Sequence, residues 1–191
     1  MDPINKFEKW YQQELLKSEA AIPSACCLST LGEEGYPNAR FLSLKEITDG
    51  KFVITGSLTS RKGIEIKNNP KVALTFWWDA SKKQIRIQGD AKELENEVAL
   101  QYFKERSLES RIVSTISKQG ALISDFKTLK KKFEQELKAS KNKTIDKPKN
   151  WGGFYINPIR IEFLEFENSR LHYRELYTKK SNIWHKEFIQ P

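Results

Sequence analysis

The sequence predicts a mostly β protein of the α+β kind, an antiparallel barrel with peripheral helices. Two observations carry this. Short runs of β-forming residues, six or more in all and bounded by Gly, Pro, Asn and Asp, occupy both ends of the chain. Between them lies a stretch of helical period, without the regular strand–helix alternation that a parallel sheet needs. A doubly wound parallel sheet is the alternative. At 191 residues the chain suits one domain, 1–191, or one domain with a small appendage.

Asp2-Pro3 offers an N-cap followed by proline at the first helical position, and Phe7, Trp10, Tyr11 and Leu15 recur at helical spacing. A helix over about 3–19 follows, so residues 1–20 form an N-terminal helical segment. Residues 24–31, 38–45 and 51–55 read as strands. A Gly- and Pro-containing turn at 32–37 separates the first two, and Asp49-Gly50 hinges the last two. Residues 60–69 read as a short helix closed by Asn68-Asn69-Pro70, and 72–78 as an apolar strand. After a turn at 79–82, residues 84–94 alternate, Ile85 and Ile87 against Gln84, Arg86 and Gln88. The period then changes, and 93–106, 108–117 and 124–139 fit helices, a helical insertion over 93–139. Residues 140–150, rich in Lys and Asn, are expected to form a flexible connector. The C-terminal strands 153–156, 159–166, 170–178 and 183–189 complete 151–191, broken at Asn157-Pro158, Glu167-Asn168-Ser169 and 179–182.

Composition excludes several classes. No run approaches 18 uncharged apolar residues, so no helix spans a membrane, and the first residues lack a secretory pattern. Cys26 and Cys27 are adjacent and poorly placed to bridge each other, which fits a reducing cytoplasm. With two cysteines and two distant histidines, His172 and His185, no closed zinc site is expected, and no metal. The 33 Lys and Arg against 25 Asp and Glu give +8, which invites an anion, either nucleic acid or a phosphorylated small molecule. Because the cations are dispersed among strands and form no single stripe, nucleic acid is not expected.

Four cationic groups stand out. In Arg40-Phe41-Leu42-Ser43-Leu44-Lys45, strand alternation turns Arg40 and Lys45 to opposite faces, so one strand serves either two anions or simply two charged ends. Ser60 is an N-cap type, and Arg61 and Lys62 follow it where a merely structural first turn favours acids, which suits a phosphate. Tyr102, Arg106 and Ser110 stack on one helical face if the helix is continuous; otherwise they form an ordinary solvated surface. In Arg170-Leu171-His172-Tyr173-Arg174, alternation puts Arg170, His172 and Arg174 on one strand face, which either lies under an anion or polar ligand or is a sheet edge facing water.

These segments occur in order with Thr55, Gln84 before Gly89, Ser117-Lys118-Gln119, Trp151-Gly152-Gly153-Phe154 and Ile161-Glu162-Phe163. Over about 5–191 the chain resembles the pyridoxamine 5′-phosphate oxidase family. The resemblance implies an FMN-binding split β-barrel that forms a homodimer with FMN at the subunit interface. It implies FMN-phosphate contacts from Arg40, Ser60, Arg61 and Lys62, and further cofactor contacts from Leu44, Lys45, Thr55 and Gln84, with Gln119 and Arg174 reaching across from the second subunit. Lys45, Tyr102, Arg106 and Ser110 would cradle the phosphate of the substrate, a phosphorylated B6 vitamer, while Arg170 and His172 lie over its ring as catalytic residues. The implied reaction moves hydride from the substrate 4′ carbon to the flavin, with O2 reduced to H2O2. Leu164 stands where the family usually has Trp, and Tyr173 where it usually has Asp. Phenazine-biosynthesis flavin oxidases share much of the pattern, and a non-catalytic FMN or pyridoxal phosphate binder is a further alternative.

Overall fold

The computed structural model describes residues 2–140 and 144–191. Helix α1 (Pro3–Lys17) starts where expected: Asp2 accepts a hydrogen bond from the Ile4 amide at 3.0 Å, and Pro3 sits where an N–H has no helical partner. There follow β1 (Ala25–Leu31), β2 (Pro37–Ser43), β3 (Glu46–Thr48), β4 (Lys51–Ser57), α2 (Arg61–Asn68), β5 (Lys71–Trp78) and β6 (Lys83–Glu93). Then come α3 (Asn96–Lys104), α4 (Leu108–Ile116), α5 (Phe126–Ala139), β7 (Trp151–Glu165), β8 (Tyr173–Lys180) and β9 (Ile183–Phe188).

Among the described residues every strand pairing is antiparallel, in the order β2-β1-β5-β6-β7-β4-β3, with β8 on the second half of β7 and β9 on β8. Only Leu44 and Lys45 separate β2 from β3. The Leu44 amide donates to the Ser24 carbonyl and the Lys45 amide to the Val53 carbonyl, both at 2.9 Å. One length of chain thus leaves β1 for β4 and brings the two ends of the sheet together. The result is the antiparallel split barrel that the sequence predicts.

Leu28, Phe52, Ile54, Phe76, Ile85, Ile87 and Phe163 fill the barrel, and α1 closes it. Phe7 of α1 is 0% exposed, its ring edge-on to Phe52 and Phe76 at centroid distances of 4.9 and 5.0 Å. Val53 turns to the opposite face, where α3 covers the sheet through a second cluster that includes Phe103 and Trp151. This outer cluster holds α3 against β4 and the first residues of β7.

The structure corrects three expectations. Asn157-Pro158 does not divide two strands, because β7 runs through it. The β6–β7 register shifts between Gln88 and Gly89, and a Cβ on Gly89 would lie 2.3 Å from the Asn157 carbonyl oxygen, so glycine and a bulge together accommodate the proline. The strand expected from residue 170 begins at Tyr173; Arg170 has φ 68°, and its amide closes a turn on the Glu167 carbonyl at 3.1 Å. Arg170, His172 and Arg174 therefore do not share a strand face. Strand β3 is additional, pairing with β4 across Asp49 (φ 48°) and Gly50 (φ 71°), the left-handed pair that a two-residue hairpin needs. Of the connector, 141–143 lie outside the described residues, and its end is anchored by Lys147 to the Trp151 carbonyl at 2.8 Å and Asn150 to Thr59 at 3.0 Å.

One buried carboxylate ties α1 to the C-terminal strands. Glu175 of β8 accepts hydrogen bonds from Lys6 at 2.5 Å, Lys186 at 2.7 Å, Tyr173 at 2.9 Å and Tyr177 at 3.0 Å. Burial pushes this carboxyl up, but the bonds from Lys186, Lys6 and Tyr173 prevail and hold it down to about 2. A depressed carboxylate contributes stability above its ordinary value of 4.5, and that contribution is lost as pH falls through about 2. Glu175→Ala is expected to cost roughly 2 kcal/mol in denaturant unfolding at neutral pH. The gap to wild type should close between pH 4.5 and about 2; a gap unchanged across that window contradicts the assignment.

Candidate functional site

The first candidate group meets where β2, β4 and α2 face the α3–α4 junction. A cavity of about 350 Å³ is lined there by Arg40, Thr55, Lys62, Arg106, Ser114 and Gln119, among others. Arg40, from the inward-facing side of β2, hydrogen bonds through NH1 to Thr30 and through NH2 to Glu65 at 3.0 Å. Lys62, in the first turn of α2, donates to Ser60 Oγ at 3.2 Å and Gln119 Oε1 at 3.3 Å. Arg106 follows α3, donating to Ser114 Oγ at 2.7 Å with its guanidinium over the Trp151 ring at 5.0 Å.

A single acid sorts these cations. Glu65 of α2 is 2% exposed and accepts from Thr30 at 2.5 Å, Asn38 at 2.6 Å, Arg61 Nε at 2.9 Å and Arg40. Burial pushes its carboxyl up, and the bonds from Thr30, Arg61 and Arg40 more than reverse that, leaving it below its ordinary value. Arg61 pairs with Glu65 and also with Glu34, and lines a neighbouring depression of about 780 Å³. It does not line the cavity of Lys62. Among the described residues, Lys62 and Arg106 make no ion pair. Burial and then the Arg40 charge pull the Lys62 pKa down, and burial does the same to Arg106. Two half-buried cations without acids on one cavity are what an anion would satisfy.

Several predicted residues behave differently. Ser60 occupies the N-cap position, but its hydroxyl donates to the Ser57 carbonyl at 2.7 Å and does not cap the helix. The Leu44 side chain belongs to the barrel core. Lys45 is exposed. Tyr102 is buried and its hydroxyl donates to Glu46; burial and that bond push its pKa up. Ser107 ends the stacking of Tyr102, Arg106 and Ser110 by capping α4, accepting from the Ser110 amide at 3.3 Å. Gln119, expected to reach a second subunit, contacts Lys62 of its own chain.

The second group lies elsewhere. Strand pairing places Trp77, Gln84, Leu164 and Arg174 in one row across β5, β6, β7 and β8. Arg174 is held by Glu162 Oε1 at 2.9 Å from Nε and 2.6 Å from NH2, and its NH1 donates to the Gln190 carbonyl at 2.8 Å. Phe166 packs against Trp77 at 4.8 Å, and His172 sits edge-on to Phe166 at 5.1 Å. His172 Nδ1 accepts from the Glu167 amide at 3.1 Å, so the neutral ring carries its proton on Nε2. Arg170 is exposed on the same turn. None of Gln84, Arg170, His172 and Arg174 lines the Lys62 cavity. Glu65 and Ser114 are positioning groups that the sequence did not single out, and Glu162 and Trp151 stood in the family segments without an assigned role. Only Arg61 and Glu65, four apart on a helix, left a readable signal.

Comparison with known proteins matches this arrangement to one family over both halves. The profile described as pyridoxamine 5′-phosphate oxidase matches residues 13–138, and that of the pyridoxine 5′-phosphate oxidase C-terminal dimerisation region matches 151–191. The pyridoxine/pyridoxamine 5′-phosphate oxidase of Leptospira interrogans is 37% identical over 191 residues, covering 100% of this chain and 89% of the relative. That of Haemophilus influenzae is 39% identical, covering 100% and 90%. Among solved structures, PhzG from Burkholderia lata 383 in complex with tetrahydrophenazine-1-carboxylic acid superposes with TM-score 0.93 at 25% identity, covering 100% of this chain and 93% of that one. A pyridoxamine 5′-phosphate oxidase-related FMN-binding protein from Nostoc punctiforme, 16% identical with TM-score 0.82 and covering 100% and 98%, shares the fold. With matches to both halves and full-length relatives above one-third identity, the chain belongs to the pyridoxamine 5′-phosphate oxidase family.

Proposed function

We propose that the protein is an FMN-dependent oxidase, acting as a homodimer, that converts pyridoxamine 5′-phosphate and pyridoxine 5′-phosphate to pyridoxal 5′-phosphate. The observation that carries this is the cavity on which Lys62 and Arg106 stand without acidic partners among the described residues. That donor set fits phosphoryl groups. Lys62, with Arg40 held beside it by Glu65, takes the FMN phosphate; Thr55 and Gln119 line the same space. Arg106, which reaches the cavity from the α3–α4 junction, takes the phosphate of the substrate.

Gln84 and Arg174 share a row and so come to the flavin from one copy of the chain, while Lys62 and Gln119 come from the other. The matched dimerisation region contains Arg170, His172 and Arg174, which supports their delivery across a two-fold interface. Bound there, FMN would accept hydride from the substrate 4′ carbon and return the electrons to O2 as H2O2. The protein contributes position and charge. His172 presents an Nε2 proton to a polar ring substituent, and Arg170 supplies a cation above the ring. The likeness to PhzG favours a second reading, a flavin oxidase of a different reduced ring.

Purified protein given pyridoxine 5′-phosphate in air is expected to form pyridoxal 5′-phosphate and peroxide in equal amounts. Bound FMN without that turnover would favour the second reading. Lys62→Ala is expected to raise the FMN dissociation constant roughly 10- to 100-fold, and Arg61→Ala less than about fivefold, because Arg61 is already paired. Equal losses in an equilibrium fluorescence titration contradict this division. His172→Ala should lower kcat roughly 10-fold or more while FMN content holds; parallel loss of flavin and turnover argues against its assigned place.

A further inference from the structure

Arg106 is held differently from Arg40, which lines the same cavity, and from Arg61 of the neighbouring depression. Arg40 and Arg61 each face the buried Glu65 carboxylate, which cancels much of their charge. The groups that seat Arg106 are neutral: the Ser114 hydroxyl at 2.7 Å and the Trp151 indole face at 5.0 Å. Ser114 projects from α4 into the same cavity. Its hydroxyl donates to the Ser110 carbonyl one turn back at 3.0 Å. A serine has one proton to give. With that proton committed to the helix backbone, Ser114 Oγ turns its lone pairs to Arg106 and has no proton for an anion. Trp151 is held in turn: it is buried and meets Phe103 edge-on at 5.1 Å. An indole face attracts a guanidinium through its quadrupole and leaves the net charge of the site unchanged.

We infer that Ser114 and Trp151 are positioning residues that fix the Arg106 guanidinium at the cavity wall with its charge uncancelled, so that Arg106 answers to a phosphoryl group and Ser114 acts only through it. The inference rests on the reading of this cavity as a phosphate site. It distinguishes Ser114 from Ser110, whose hydroxyl accepts from Ser107 Oγ at 3.0 Å and keeps its own proton for a ligand.

The test is the dissociation constant of inorganic phosphate, measured by calorimetry on FMN-saturated protein, in wild type, Ser114→Ala, Ser114→Thr, Arg106→Ala and the Arg106→Ala/Ser114→Ala double variant. Ser114→Ala is expected to weaken phosphate about three- to tenfold, and Ser114→Thr, which keeps the hydroxyl, by less than about twofold. In the Arg106→Ala background the same change should have no further effect. An unaltered constant in Ser114→Ala, or an undiminished effect without Arg106, overturns the inference while leaving the phosphate site standing. Wild-type protein that binds no phosphate overturns the reading of the cavity, and the inference with it.

Discussion

The buried Glu65 carboxylate is the interaction on which the anion-facing side of this protein depends. Four donors from three elements converge on it: Thr30 from β1, Asn38 and Arg40 from β2, and Arg61 from its own helix. A lone buried carboxylate is costly, and one so fully hydrogen-bonded joins the elements that hold it. The consequence is electrostatic as much as mechanical. By occupying Arg40 and Arg61, Glu65 leaves Lys62 as the cation without an acid at the start of α2. Arg106 arrives from the helical insertion as a second, seated on neutral groups. Among the described residues that line the cavity, Lys62 and Arg106 are thereby the cations without an acid.

The helical insertion and the barrel solve one problem between them. The outer face of β4 and β7 is apolar and needs cover, which α3 supplies through Phe103, packed edge-on against Trp151 of β7. The same Trp151 then carries Arg106. Packing and ligand recognition thus share a side chain. At the far end of the sheet, Glu162 plays towards Arg174 and Arg86 the part that Glu65 plays towards Arg40 and Arg61. In both places a buried acid on a regular element directs long cationic side chains.

Much of this was legible in the sequence because it is local. Asp2-Pro3 announces α1, Asp49-Gly50 the hairpin, and the alternation around Ile85 the strand β6. The turn Ser60-Arg61-Lys62 was readable as suited to a phosphate, and the family pattern alone added Arg40 to it as a contact to a flavin phosphate. What escaped is set by long-range pairing. No local pattern reveals that Arg174 faces Glu162, since that follows from the β7–β8 register. Strand alternation misplaced Arg170 and His172 because a turn closing on Glu167 delays β8 until Tyr173. Pro158 was read as a strand end, when a bulge opposite Gly89 carries β7 past it. Ser60 takes the expected N-cap position, but its hydroxyl donates to the Ser57 carbonyl and accepts from Lys62, and no side-chain cap forms.

The central claim is that two groups on separate surfaces of one chain, Lys62 with its cavity and the His172 turn with Arg174, complete a single site only across two copies. Subunit complementation tests it most directly. Lys62→Ala and His172→Ala chains are co-expressed, and the oxidase activity of the mixture is compared with that of each variant alone. A site shared between copies gives every mixed dimer one intact site, so activity should return to about a quarter of wild type. Activity no higher than the average of the two variants would show that each chain builds its site alone, and would contradict the account.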